Sequence, residues 1–320
     1  MKKLIIQIPC YNEEETIAIT LKELPREVAG FDLVEWLIID DGSSDDTVRI
    51  AKENGADHVI SFTKNRGLAK GYLAGLDASL KLEADVIVNT DADNQYLAAD
   101  IPKLTTPIVE GKADIVVGAR PIQEIEHFSP IKKILQKLGS LVVRRVSKTK
   151  VKDVTSGFRA MSRDAAMRIN VFNEYTYTLE TIIQAGQKNM AIISVPIGTN
   201  EDLRPSRLLK SIPSYIRKSI VTIFRIFVVY KPFRSFFTIG LSIFSVGFLL
   251  GLRFLYFYIS NGGGGHIQSL ILASVLLGIG FQTILVAFLA DLLSVNRRLL
   301  EDVQYRLKKR QFNHSSHQND

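Results

Sequence analysis

The chain has 320 residues, with 40 Lys and Arg against 33 Asp and Glu, a net charge of +7 and 46% apolar residues. Those fractions exclude a disordered or collagen-like chain. The single cysteine, Cys10, excludes an internal disulfide and a multi-cysteine zinc site.

Strands and helices alternate from the first residues. Leu4 to Ile8 reads as a buried strand ending at Pro9, and Glu13 to Leu24 as a helix. Val34 to Ile39 is a second strand, ended by Asp40-Asp41-Gly42-Ser43. Thr47 to Asn54 is helical, with Asp45 or Asp46 as its cap. A short strand at His58 to Phe62 precedes a helix at Gly67 to Leu82. Asp85 to Asn89 is a strand that runs into Thr90-Asp91-Ala92-Asp93, and Asp114 to Gly118 is another. This βαβα order predicts an α/β domain with a mostly parallel sheet and helices on both faces. Ligands of such sheets bind at the carboxyl ends of the strands, where the polar clusters of this chain fall.

The hydropathy changes after residue 200. Phe236 to Leu252 carries no charged residue, the apolar run resumes after Arg253, and Ile267 to Ala290 carries no charge at all. About 20 apolar residues suffice for a helix to cross a bilayer, so the two runs predict a transmembrane hairpin turning at Ser260 to His266. Ile212, Ile216, Ile220, Ile223 and Phe227 recur at helical spacing opposite Lys210, Arg217, Lys218 and Arg225. That pattern predicts an amphipathic helix at the membrane interface. The expected division is 1–210, a soluble domain; 211–235, an interface segment; 236–290, the hairpin; and 291–320, a basic tail. Lys and Arg flank both spans and avoid the turn. This places the domain and both termini in the cytoplasm, with the hairpin in the plasma (inner) membrane. The basic residues concentrate beside the membrane, so the +7 charge points to lipid and not to nucleic acid.

Two motifs carry chemistry. Asp91 and Asp93 end a buried strand, where two carboxylates repel unless a cation joins them; oxygen ligands suit Mg²⁺ or Mn²⁺. Asp40-Asp41-Gly42-Ser43-Ser44-Asp45 also follows a strand, and an aspartate there can accept hydrogen bonds from a nucleobase or a ribose. A turn and a helix cap account for some of these residues, but not for both Asp40 and Asp41. No Gly-x-Gly-x-x-Gly and no P-loop is present. A diphosphate would then be held by metal and basic side chains. The five histidines are scattered without metal-ligand spacing. Cys10 reads as a small packed residue near the nucleotide site. Glu180, on a helix after Tyr175 to Leu179, reads equally as a functional acid or as a solvated or structural residue.

Ile8-Pro9-Cys10-Tyr11-Asn12-Glu13-Glu14, Ile39-Asp40-Asp41-Gly42-Ser43, Asn65-Arg66-Gly67, Asp91-Ala92-Asp93-Asn94-Gln95, Val117-Gly118-Ala119-Arg120 and Asp153-Val154-Thr155-Ser156-Gly157-Phe158 occur in that order. Together they resemble a family 2 glycosyltransferase of the GT-A fold. More narrowly, they are similar to the polyprenyl-phosphate group that includes the dolichyl-phosphate mannose synthases. The resemblance implies that Pro9, Tyr11, Glu13 and Asp41 contact the nucleotide beside Asp91 and Ala92. It implies that Asp91, Asp93 and Gln95 hold Mg²⁺ or Mn²⁺. It implies a catalytic set of Asp93, Arg120, Lys133 and Arg204, in which the three cations clamp phosphates. Relatives carry Arg where this chain has Lys133, and the family's Gly-x-Ser-Lys segment is matched here by Arg204-Pro205-Ser206-Arg207, without the glycine.

The implied activity is transfer of one sugar, with inversion, from a UDP- or GDP-linked donor to a membrane polyprenyl phosphate such as an undecaprenyl or dolichyl phosphate. A homo-oligomer is compatible with this. A processive polysaccharide synthase would carry Gln-x-x-Arg-Trp, whereas the only Trp here is Trp36. The alternatives are a catalytically silent membrane scaffold and a transferase of the same fold with another lipid acceptor.

Overall fold

The computed structural model describes residues 1–121, 140–171 apart from 142, 177–201, 221, 225, 228–260 and 266–314. It divides into two compact units: Met1–Ile216 together with Val303–Asp320, and Arg217–Asp302.

The first unit is built on a seven-stranded sheet in the order β3-β2-β1-β4-β6-β5-β7. The strands are β1 (Lys3–Cys10), β2 (Leu33–Asp40), β3 (His58–Ser61), β4 (Val86–Asn89), β5 (Ile115–Ala119), β6 (Arg159–Ser162) and β7 (Ile192–Pro196). All neighbours pair in parallel except at β6, which is antiparallel to both β4 and β5. The sheet is therefore mixed but mostly parallel, as the βαβα order predicts.

β1 is longer than its apolar run because Pro9 and Cys10 still pair with Ile39 and Asp40. A proline is tolerated in this central strand because β4 ends level with Gln7, so Pro9 has no ladder donor to supply on that side. The first helix, α1 (Ile17–Glu23), starts later than its periodicity suggests. Residues 13–16 form a turn in which Thr16 N–H donates to the Glu13 carbonyl at 3.1 Å. The other helices of this unit are α2 (Thr47–Glu53), α3 (Leu68–Lys81), α4 (Ile101–Val109), α5 (Arg163–Arg168) and α6 (Thr178–Gln187).

Strand alternation sends Leu4, Ile6, Ile8 and Cys10 to one face, where they form a core with Ile17, Leu21, Ile101 and Leu104 of α1 and α4. The other face of the central strands carries Gln7 and Asn89 (buried, at 0% and 2% exposure), and here Gln7 Nε2 donates to Asn89 Oδ1 at 2.9 Å.

The second unit contains α7 (Pro232–Ser260) and the part of α8 (Ile267–His314) that ends at Asp302. Both helices are long and apolar enough to cross a membrane, and only 11% and 17% of their most apolar windows is buried within the protein. They pack antiparallel through small residues. A Cβ on Gly240 would lie 2.9 Å from the Ile284 nitrogen, and one on Gly280 would lie 2.6 Å from the Phe244 nitrogen. The backbones come this close only because glycine has no side chain, the packing mode favoured where lipid removes the hydrophobic drive between helices. Of the interface segment expected at 211–235, only 221, 225 and 228–235 are described, and α7 already begins at Pro232.

The tail expected at 291–320 is instead helical through His314, and its last part belongs to the first unit. Tyr305 Oη donates to Asp164 Oδ1 at 2.6 Å and accepts from Arg168 Nη2 at 3.2 Å. Lys308 Nζ donates to Asp77 Oδ1 at 2.8 Å, Arg163 Nη2 donates to the Phe312 carbonyl at 3.2 Å, and the Phe312 side chain is buried. This stretch is thus fastened to α3 and α5.

Candidate active site

The carboxyl ends of β1, β2, β4, β5 and β7 share one edge of the sheet, and antiparallel β6 brings its amino end, Gly157 to Arg159, to the same edge. This gathers segments far apart in sequence around Asp91 and Asp93.

At the end of β1, Asn12 takes a left-handed conformation with φ 53°. Its N–H donates to Ser43 Oγ at 2.9 Å, and its side-chain oxygen accepts from Ser44 N–H at 2.9 Å. Tyr11 is 44% exposed, and Glu13 N–H donates to Thr47 Oγ1 at 2.8 Å. At the end of β2, Asp40 accepts from Ser43 N–H at 2.9 Å and closes the turn. Asp41 is buried and takes Arg66 N–H at 2.7 Å on one oxygen and Gly67 N–H at 2.8 Å on the other. A turn thus accounts for Asp40 alone, as expected, whereas Asp41 is engaged by the distant 65–67 loop, which folds over the end of β2.

At the end of β4, Asn94 adopts φ 56°, which asparagine tolerates and which turns the chain back sharply. The Ala92 carbonyl accepts from Thr20 Oγ1 at 2.9 Å, tying the turn to α1, and Gln95 N–H donates to Asp93 Oδ1 at 3.4 Å. Burial pushes the Asp91 carboxyl up to about 7; the Asp93 charge adds to the rise, and Arg120, a hydrogen bond from Tyr96 and Arg159 oppose it. A divalent cation between the two carboxylates would offset that cost. Among the described residues no cluster of three or more His, Cys, Asp or Glu side chains is found. Two carboxylates leave most positions of an octahedral ion to donor phosphates and water, the usual arrangement for Mg²⁺ or Mn²⁺.

Arg120, just past β5, is paired with buried Asp153. Nε donates to Oδ2 at 2.7 Å, and Nη2 donates to Oδ1 at 3.3 Å and to Thr155 Oγ1 at 3.0 Å. Burial works against its charge, but the Asp153 and Asp91 carboxylates outweigh it and hold the guanidinium protonated. A depression of about 270 Å³ opens beside Arg120, lined also by Pro121, Lys152, Ser194, Pro196 and Ile197. Lys133 and Arg204 lie outside the described residues.

Several buried polar residues went unrecognised in the sequence. Asn89 Nδ2 donates to the Gly157 carbonyl and to Tyr177 Oη, both at 3.0 Å. The Tyr177 ring stacks on Tyr72 at 3.8 Å. Arg159, fully buried, donates to the Thr178 carbonyl at 3.2 Å and also to Thr181 Oγ1 and the Ser156 carbonyl. The only sequence signal for these was a polar residue at an apolar strand's end. Glu180 is buried on α6 and not solvated. Cys10 is buried beneath this edge; burial pushes its thiol up, and Glu13, Asp40, Asp45 and Asp91 add to the rise.

A family model described as glycosyl transferase family 2 matches residues 5–169, just over half of the chain, and includes both Asp-rich strand ends. The chain belongs to glycosyl transferase family 2. Among relatives of this family 2 protein, the undecaprenyl-phosphate mannosyltransferase of Micrococcus luteus is 29% identical over 205 residues, covering 61% of this chain and 82% of the relative. The UDP-N-acetylglucosamine–dolichyl-phosphate N-acetylglucosaminyltransferase of Methanococcus voltae is 31% identical over 223 residues, covering 62% and 86%. Among solved structures, glucosyl-3-phosphoglycerate synthase from Mycobacterium tuberculosis, in complex with Mn²⁺, UDP and glucosyl-3-phosphoglycerate, superposes with a TM-score of 0.54. It is 20% identical and covers 71% of this chain and 79% of that one. The catalytic unit of this family 2 glycosyltransferase thus has a GT-A-like fold.

Proposed function

We propose that this glycosyltransferase moves one sugar from a UDP- or GDP-linked donor to a membrane polyprenyl phosphate, with inversion at the anomeric carbon. The observation that carries the reading is the half-buried Asp91–Asp93 pair, with Arg120 near Asp91, on a family 2 fold that is followed by two apolar helices. The names of the relatives support the lipid acceptor.

In this reading Pro9, Tyr11, Glu13 and Asp41 border the nucleoside, next to Ala92. Asp91, Asp93 and Gln95 would hold Mg²⁺ or Mn²⁺, which supplies positive charge against the leaving diphosphate. Arg120 adds a fixed charge that its bond to Asp153 pre-orients, so no reorganisation is needed as negative charge develops. Lys133 and Arg204 are the further phosphate clamps. An oxygen of the lipid phosphate attacks the anomeric carbon from the face opposite the diphosphate, the new C–O bond forms, and the nucleoside diphosphate leaves with the bonding pair. A phosphate monoester has a second pKa of ~6, so the acceptor is already mostly dianionic at neutral pH and the chain need not supply a general base.

The Lys and Arg flanks of the spans support a cytoplasmic catalytic unit at the inner face of the plasma membrane. The test is a donor screen with purified full-length protein, Mn²⁺ and polyprenyl phosphate, with the lipid product weighed by mass spectrometry. One hexose or N-acetylhexosamine added per lipid is expected. Turnover only with soluble acceptors, or none with any donor, overturns the reading. A cysteine introduced as Asn261→Cys should react with an impermeant reagent added outside intact cells; reaction only after permeabilisation overturns the orientation.

A further inference from the structure

Tyr96 lies past the Asp91-Ala92-Asp93 turn, and its ring folds back beneath it. The ring is 4% exposed and stacks on Phe158 with centroids 5.1 Å apart and planes 13° from parallel. The backbone around it is pinned: Tyr96 bridges Thr199, and Asn200 N–H donates to the Gln95 carbonyl at 3.0 Å. The hydroxyl accepts from Gly157 N–H at 2.9 Å, and that same residue backs onto the Asp91 carboxylate, toward which the hydroxyl can turn its one hydrogen. Gly157 is held in turn, its carbonyl accepting from Asn89 Nδ2 at 3.0 Å. Asn89 accepts from Gln7 Nε2 at 2.9 Å in the middle of the sheet. A Cβ on Gly157 would lie 3.0 Å from both Asp91 oxygens, so the peptide backs directly onto the carboxylate.

We propose that Tyr96 is a positioning residue for the metal-binding carboxylate: its hydroxyl, anchored on the Gly157 amide, fixes the orientation in which Asp91 meets a divalent cation shared with Asp93. The inference rests on the metal reading given above and assigns a role to a side chain outside the ion's own ligand set. A carboxylate with a free torsion must be ordered when the ion binds, whereas one held by a buried hydroxyl is ordered beforehand. Partners of this kind typically contribute ~10- to 100-fold to metal affinity.

The test measures Mn²⁺ binding to detergent-purified full-length protein, reading free Mn²⁺ by electron paramagnetic resonance with UDP present. Tyr96→Phe keeps the ring and its stacking on Phe158 but removes the hydroxyl, and about a tenfold loss of Mn²⁺ affinity is expected. Gly157→Ala presses a methyl group against the Asp91 oxygens and should weaken Mn²⁺ in the same direction. Tyr72→Phe is the structural control. Among the described residues its hydroxyl reaches only Met161 Sδ, at 3.8 Å, from an equally buried ring, and its Mn²⁺ affinity should match the wild type. If Asp93→Asn abolishes Mn²⁺ binding while Tyr96→Phe binds within twofold of the wild type, the positioning role is overturned and the metal site stands. A defect in Tyr72→Phe equal to that of Tyr96→Phe also overturns it, because the loss is then one of general packing. If the wild type and Asp93→Asn bind Mn²⁺ alike, the metal reading itself fails and the proposal with it.

Discussion

Replacing Asp153 by asparagine tests how the site holds its charge. Asp153 is 1% exposed and Arg120 is 15% exposed. The aspartate accepts two hydrogen bonds from the guanidinium, at 2.7 and 3.3 Å, and two from Thr155, at 3.2 Å from its N–H and 2.9 Å from its hydroxyl. Asparagine has nearly the same shape but one acceptor oxygen and no charge. Arg120 would be left buried beside a neutral amide whose NH₂ points a donor at another donor. Removing one partner of a buried pair costs about 3–5 kcal/mol. Arg120 keeps the nearby Asp91 charge and some solvent, so the lower end applies, ~3 kcal/mol. For a unit of this size that corresponds to a fall of about 6–12 °C in Tm.

The single tryptophan gives the assay. Trp36 lies on β2, with its ring under the Arg26 guanidinium at 3.3 Å and its Nε1 donating to the Pro25 carbonyl at 3.2 Å. Its fluorescence in a detergent-solubilised melt therefore follows the catalytic unit and not the membrane helices. Arg120→Gln alone and the double variant complete a cycle, in which a coupling of ~1.5–3 kcal/mol is expected for charge-assisted bonds. A Tm within 2 °C of wild type for Asp153→Asn, or strict additivity in the cycle, would refute the reasoning.

Three further outcomes are expected. Gly186→Ala places a Cβ 1.9 Å from the Ser147 carbonyl oxygen, so α6 must shift; overpacking of this kind costs ~1–3 kcal/mol or more, and an unchanged Trp36 melt would contradict it. Tyr305→Phe removes the hydroxyl that joins Asp164 and Arg168, at 2.6 and 3.2 Å. The loss should be ~1–2 kcal/mol, read as faster proteolysis between residues 303 and 314, and equal cleavage rates would rule out the docking. Cys10 is buried with a raised pKa, so little thiolate forms at pH 8; iodoacetamide should modify it far more slowly in the native protein than in denaturant, as intact mass reports, and equal rates would contradict the burial.

The features legible in the sequence were those that depend on neighbours along the chain. The apolar runs of β1, β2 and β4 and the helical stretches between them specify parallel crossovers, because a strand–helix–strand unit closes in one hand. The two uncharged stretches mark candidate spans because lipid tests composition locally, residue by residue. Asp91 and Asp93 stood out because two carboxylates at a buried strand's end need a reason wherever the rest of the chain goes.

Tertiary structure decided everything that depends on which edges meet. Nothing in Arg159 to Ser162 announces that β6 runs backwards between β4 and β5, yet that reversal brings Gly157 against Asp91 and Tyr96. The duty of Asp41 was hidden in the same way, since its partners are backbone amides of Arg66 and Gly67, and a backbone amide has no sequence signature. The end of α8 reads as a basic tail by charge alone. Only the fold supplies Asp77 and Asp164, from helices more than a hundred residues earlier, as the anions that Lys308 and Tyr305 meet. Long-range polar contacts close only after the chain has paid the entropy of bringing distant segments together, so their partners cannot be read before the topology is known.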